Sequence, residues 1–203
     1  MAGSATAFTL SIAAWVAVVA VDVAISLTLY LLLEPFGRGL AMAAAAFRLL
    51  YSATVAALLV ELFTAHRLLV LPSGAEVGPG SAQRGLDALQ TFSDGFLVAL
   101  VFFGVHLVLL GAALHRSGYV PRLLCWFVVA AGAGYVVDSL AGLLVDGYGG
   151  AAAVVALTPT LIGEIGLTLW FLVRGVRRPS APVIMKRGNR RAEPDRRAAS
   201  RTS

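Results

Sequence analysis

Apolar residues run along this chain in five stretches, each long enough to cross a bilayer, and the polar residues inside them fall at helical spacing. A hydrocarbon-spanning helix needs roughly 20 apolar residues at about 1.5 Å rise each. The pattern predicts helices over about 8–33, 40–63, 86–114, 123–145 and 151–173. In the first, Ser11, Trp15, Asp22, Ser26 and Tyr30 form one stripe of a 3.6-residue helix whose opposite face is Ala, Val, Ile and Leu. In the second, Arg48, Tyr51 and Ser52 share a face at i, i+3 and i+4. Asp87, Gln90 and Asp94 open the third along a single face, and His106 follows twelve residues after Asp94. That separation is about 18 Å along a helix and about 120° around it, so Asp94 and His106 should meet different neighbours. The fourth carries Ala130, Gly134, Asp138 and Gly142 every four residues. Small residues at that spacing let two helices approach closely in lipid, which predicts a seam that includes Asp138. The fifth carries Thr160, Glu164 and Thr168 as another i, i+4, i+8 stripe, with a kink expected at Pro159.

Turn chemistry separates the stretches. Glu34-Pro35-Phe36-Gly37, His115 to Arg122 and Asp146 to Gly150 read as tight turns, and residues 64–85, with Pro72, Gly74 and Gly78-Pro79-Gly80, as the longest connection. The fold class is therefore all-α: a multi-pass transmembrane helical bundle of five spans in one domain, residues 1–176. Residues 177–203, rich in Arg, Pro, Ser and Ala, read as a disordered basic cytoplasmic tail.

Composition supports the class. The chain is 59% hydrophobic and only 13% charged, too apolar for an ordinary soluble domain of 203 residues. The net charge of +5 changes meaning once it is divided. Residues 174–203 hold ten bases and two acids, whereas the rest holds six bases and nine acids. The basic character belongs to the tail, where no aromatic residue is available to stack on bases. The expected partners are the lipid bilayer, anionic lipid head groups at the tail, and a second copy or another membrane protein; nucleic acid is not expected. Excluding the spans, Arg38, Arg116, Arg122 and the tail fall on one side and Arg67 and Arg84 on the other. The positive-inside rule then places the N-terminus outside and the C-terminus in the cytoplasm of a cell membrane.

The runs AAAFRLLYSATVAALLVELF, LVFFGVHLVLLGAALHRSGYVPRLL, GYVVDSLAGLL and LIGEIGLTLWFLVRG resemble the bacterial integral-membrane family catalogued as domain-of-unknown-function family 4386, over about residues 8–176. The resemblance implies a multi-pass helical protein with no established activity. It also implies one more hydrophobic helix ahead of the segment corresponding to Phe8–Leu33, so the expectation is either a five-span form lacking that extra first helix or a truncated start.

An ionisable group inside a span costs on the order of 2.5–3.5 kcal/mol on insertion scales and normally faces protein or water. Counted from the inner ends of their spans, Asp22, Arg48, His106 and Glu164 fall in one layer about eight to eleven residues deep, with Tyr51 beside Arg48. Asp94 and Asp138 would form a second layer nearer the outside. In a low-dielectric interior such groups pair or shed their charge. Two readings follow. One is a small transporter or ligand-sensing protein with a proton or ligand pathway through Asp22, Arg48, Tyr51, His106 and Glu164, with Asp94 and Asp138 on the outer approach. The other is a structural or accessory subunit whose buried charges only specify packing. No GxSxG, HExxH or Gly-Lys-Ser/Thr motif occurs, so no catalytic residue is named and the residues point away from an enzyme. No cofactor is indicated, and no metal site: the three histidines are scattered and Cys125 is the single cysteine, expected to pack in the core.

Overall fold

The computed structural model describes residues 2–70, 78–148 and 151–175. It is an all-α bundle of five long helices: α1 (Ala2–Leu33), α2 (Arg38–Ala65), α3 (Ser81–Ser117), α4 (Arg122–Leu144) and α5 (Ala151–Arg174). Four of them, α1 to α4, are long and apolar enough to cross a membrane. The 24 residues of α5 reach about 36 Å at helical rise. The predicted tail, 177–203, lies outside the described residues.

Each turn has a local cause. Proline cannot continue the hydrogen-bond ladder: Pro35 closes α1 into a single 3₁₀ turn, Glu34–Phe36, before Gly37 opens α2. The α3 helix ends on Gly118 in the left-handed region (φ 68°), whose N–H bonds back to Leu114 O at 3.2 Å, and Pro121 then starts α4. The connection expected over 64–85 is shorter than its composition implied. Helix continues from α2 as one wider π-type segment, His66–Val70, and resumes at Ser81. No proline interrupts before Pro72, and Leu69 packs against α3 where Gly85 leaves room.

Chain order is also spatial order. The central α3 lies between α2 and α4; α1 packs mainly on α2, and α5 on α4. Leu33, Ala41, Leu107, Leu110, Leu114, Cys125 and Val128 form the core at the end holding the α1–α2 and α3–α4 turns. Those turns meet through Phe36 and Tyr119, whose rings stand 5.2 Å apart, edge to face. Trp170 of α5 joins them, its Nε1–H donating to Tyr119 O at 3.1 Å. This end therefore gathers Arg38, Arg116, Arg122 and Arg174, while Asp87, Asp94 and Asp146 lie toward the other. The outer faces are greasy, as lipid-facing helices require: Leu123 is 70% exposed and Leu144 and Leu172 are each 79% exposed.

Two face assignments made from spacing are corrected. The close approach of α4 is not on the Ala130–Gly134–Asp138–Gly142 repeat, of which Ala130 and Gly142 are exposed. It lies instead on Gly132, whose missing side chain lets it sit against the Gly104 carbonyl of α3, and at Cys125 and Val129 against Gly111. Helix rotation is set by where two backbones can touch, and Gly104 and Gly111 on α3 choose the facing residues. Ser11 likewise points away from the polar stripe of α1: it is exposed and donates to Phe8 O at 2.7 Å. Ile12 takes the buried place, packed with Leu59 and Leu62. Cys125 is buried, and its thiol faces Val120 O at 3.7 Å.

Candidate functional site

All five helices contribute to one polar cluster inside the bundle. Asp22 of α1, 8% exposed, receives a charge-assisted hydrogen bond from Arg48 Nη2 of α2, a direct ion pair. Ser26, one turn on from Asp22, is fully buried and donates to Ala45 O at 3.0 Å, locking α1 onto α2 beside the pair. The second amino group of Arg48 reaches His106 Nε2 of α3 at 3.2 Å. His106 is 1% exposed, and its Nδ1 lies 2.8 Å from Ala44 O. A carbonyl only accepts, so Nδ1 carries the hydrogen and Nε2 accepts from the guanidinium. That pattern specifies a neutral imidazole held between α2 and the arginine.

An aromatic floor supports these groups. The Arg48 guanidinium carbon sits 5.4 Å from the centroid of the Phe103 ring. A desolvated cation over a ring face gains roughly 0.5–2 kcal/mol. Phe103 in turn touches Tyr51 at 5.0 Å, Tyr135 at 5.4 Å and His106 at 5.8 Å, centroid to centroid. Tyr51, 8% exposed and three residues on from Arg48 along α2, is buried beside them. On α5, Glu164 lies beside Tyr135 of α4 and within electrostatic reach of Arg48.

The cluster is not fully satisfied. Among the described residues, Glu164 Oε1 and Arg48 Nε are buried without a hydrogen-bond partner, and so are Ser139 Oγ and Thr160 Oγ1. Ser139 is one turn from Tyr135 on α4, and Thr160 one turn from Glu164 on α5, so the unpaired hydroxyls extend the same polar seam. A buried polar group left unpaired costs about 1–3 kcal/mol, and native proteins keep few of them.

The residues singled out by spacing divide in two. Asp22, Arg48, Tyr51, His106 and Glu164 come together. Asp94 and Asp138 do not join them. Asp94 is exposed and accepts from Gln90 Nε2 at 2.8 Å, one helical turn back. Asp138 accepts from the Tyr148 hydroxyl at 2.8 Å, at the far end of α4. The two share no contact among the described residues, so the outer layer is two separate local pairs. Spacing missed Phe103 and Tyr135. Tyr135 had a signal, since Tyr135 and Ser139 are polar at i, i+4 in an apolar span, beside the small-residue repeat on the adjacent face. Phe103 had none, being one aromatic among many apolar neighbours.

Tyr148 lies past the end of α4, and its hydrogen bond to Asp138 raises the phenol pKa, because ionisation would break the bond and set two negative charges side by side. The folded chain then holds that proton more tightly than the unfolded one. The contribution is fully present below the ordinary phenol value of about 10 and is lost as pH rises through the folded value. In alkaline titrations followed by phenolate absorbance, Asp138→Asn is expected to bring the Tyr148 step to lower pH, with Tyr148→Phe identifying the step. An unchanged titration in Asp138→Asn would show that the bond does not persist in solution.

Among the described residues, no group of three or more His, Cys, Asp or Glu side chains is placed to hold a metal ion. The family model for "Domain of unknown function (DUF4386)" matches residues 1–175. A protein of Archaeoglobus fulgidus described as "Uncharacterized protein" is 28% identical over 158 residues, covering 78% of this chain and 79% of its own. No solved structure matches the chain.

Proposed function

We infer that this chain, which belongs to the family described as a domain of unknown function (DUF4386), is a small membrane transporter or ligand-sensing protein that works through the polar cluster on its five helices. The observation that carries this reading is the Glu164 carboxyl. One of its oxygens is buried without a partner among the described residues, while the nearby arginine already has Asp22 for a counter-ion. A cluster serving only as glue would be expected to close its own hydrogen bonds, as Ser26 does with Ala45. Surplus acceptor capacity at Glu164, with Tyr135 beside it and Tyr51 within electrostatic reach, suits a proton or a small cation. The reading puts the arginine-bearing end in the cytoplasm of a cell membrane.

The packing reading keeps one specific support, since Asp22 and Arg48 satisfy each other across α1 and α2. The two are separated by Glu164→Gln and Asp22→Asn, each checked for folding by circular dichroism and gel filtration, then reconstituted in vesicles containing a pH-sensitive dye. Under imposed proton, sodium, potassium or ammonium gradients the wild-type chain is expected to carry flux, and Glu164→Gln to reduce it at least about tenfold, one pKa-sized step in free energy. Wild-type flux in both folded variants would overturn the proposal.

A further inference from the structure

Away from the polar cluster, a cavity of about 250 Å³ runs beside the close contact of α3 and α4 near the arginine-bearing end. Val108, Ala112 and Val129 wall it, beside the point where Gly111 meets Cys125 and Val129. It opens sideways rather than into the bundle: Trp126, on its rim, is 63% exposed, on the same outer surface as Leu123. One end is different in kind, because His115 and Arg116 close it. From Val108 to Arg116 is eight residues, about 12 Å along the helix, so the slot is apolar over most of its length and basic at its tip.

The basic side chains there are uncommitted. Arg116 is exposed, rests over the α1–α2 turn near Gly37, and has no carboxylate partner among the described residues. The His115 ring stands 6.0 Å from that of Trp126. The first N–H groups of α4 have no side-chain cap, and Arg122 begins that helix, adding positive potential at the same level. A free anion would find nothing along the apolar walls, and a purely hydrocarbon occupant would leave the charged tip unused. Basic pockets between transmembrane helices are suited to lipid head groups.

We propose that the α3–α4 groove is a binding site for an anionic phospholipid, one acyl chain lying along Val108, Ala112 and Val129 and the phosphate held by Arg116 and His115. The site is independent of the polar cluster, so either can fail without the other.

The test uses Trp126 as reporter. The chain has three tryptophans, and Trp15→Phe with Trp170→Phe leaves Trp126 alone. The full chain is reconstituted with phosphatidylglycerol or phosphatidylcholine brominated on the acyl chains, titrated into unbrominated lipid. Brominated phosphatidylglycerol is expected to quench Trp126 at several-fold lower mole fraction than phosphatidylcholine. Arg116→Gln with His115→Gln should abolish that preference while leaving quenching itself, and Ala112→Leu should weaken quenching by filling the slot. Native mass spectrometry of the unmodified chain from mixed micelles should show one phosphatidylglycerol retained over phosphatidylcholine, which keeps the test open if the tryptophan variants do not fold. Equal quenching and equal retention of the two lipids, or a preference that survives loss of both the Arg116 and His115 side chains, overturns the proposal.

Discussion

Arg48→Gln is expected to destabilise the bundle by about 3–5 kcal/mol, the cost of removing one partner from a buried ion pair. The substitution leaves the Asp22 carboxylate, 8% exposed, with no counter-ion and takes the donor away from His106 Nε2. It also removes the cation from the face of Phe103. Asp22→Asn/Arg48→Gln together should recover much of the loss, because neither charge is then stranded, and the difference measures the coupling. Denaturant unfolding in detergent micelles, run as a double-mutant cycle, reads both numbers. A single Arg48→Gln protein within about 1 kcal/mol of wild type would mean the pair does not hold α1 to α2, since surface pairs are worth that little.

Gly104→Ala should cost about 1–3 kcal/mol, and Gly104→Leu more, although both residues form helices better than glycine. A methyl group on Gly104 would lie 2.6 Å from the Gly132 carbonyl oxygen and 2.7 Å from Val136 Cγ2. Backbone cannot swing aside as a side chain can, so α3 and α4 would have to separate along their length. The reciprocal Gly132→Ala meets the Gly104 carbonyl and Val108 N and should behave alike. Gly142→Ala is the contrast. Its methyl meets only the flexible end of Leu97 at 3.3 Å, and the helix gains from losing a glycine, so unfolding should shift by no more than about 0.5 kcal/mol. Equal losses at Gly104 and Gly142 would show that the interface was assigned to the wrong face.

These two expectations rest on different parts of the chain's information. That Asp22, Arg48, His106 and Glu164 would share a depth was readable from residue counts, because helical rise is fixed and span ends are marked by Pro35, Gly118 and Pro121. That they would turn toward one another was readable in part, since lipid offers a charge nothing and drives it inward. Asp94 shows where that logic stops. It lies within the predicted third span, yet α3 has 37 residues, about 55 Å, against a hydrocarbon layer of about 30 Å. Its exposed side chain is satisfied by Gln90 on its own helix and has no need of the interior.

By itself the sequence determined the helices, their turns, the segregation of arginines to one end and the layer in which the buried charges sit. Each of these is decided locally, by hydrogen bonding within one helix and by the preference of its side chains for lipid or water. Only the tertiary structure decided which face of α4 meets α3, that Tyr135 and Phe103 complete the cluster, and that Glu164 keeps an oxygen unpaired among the described residues. Helix rotation depends on where two backbones come close enough to touch. That choice belongs to pairs of helices, here Gly104 against Gly132, and a repeat on one helix alone does not contain it.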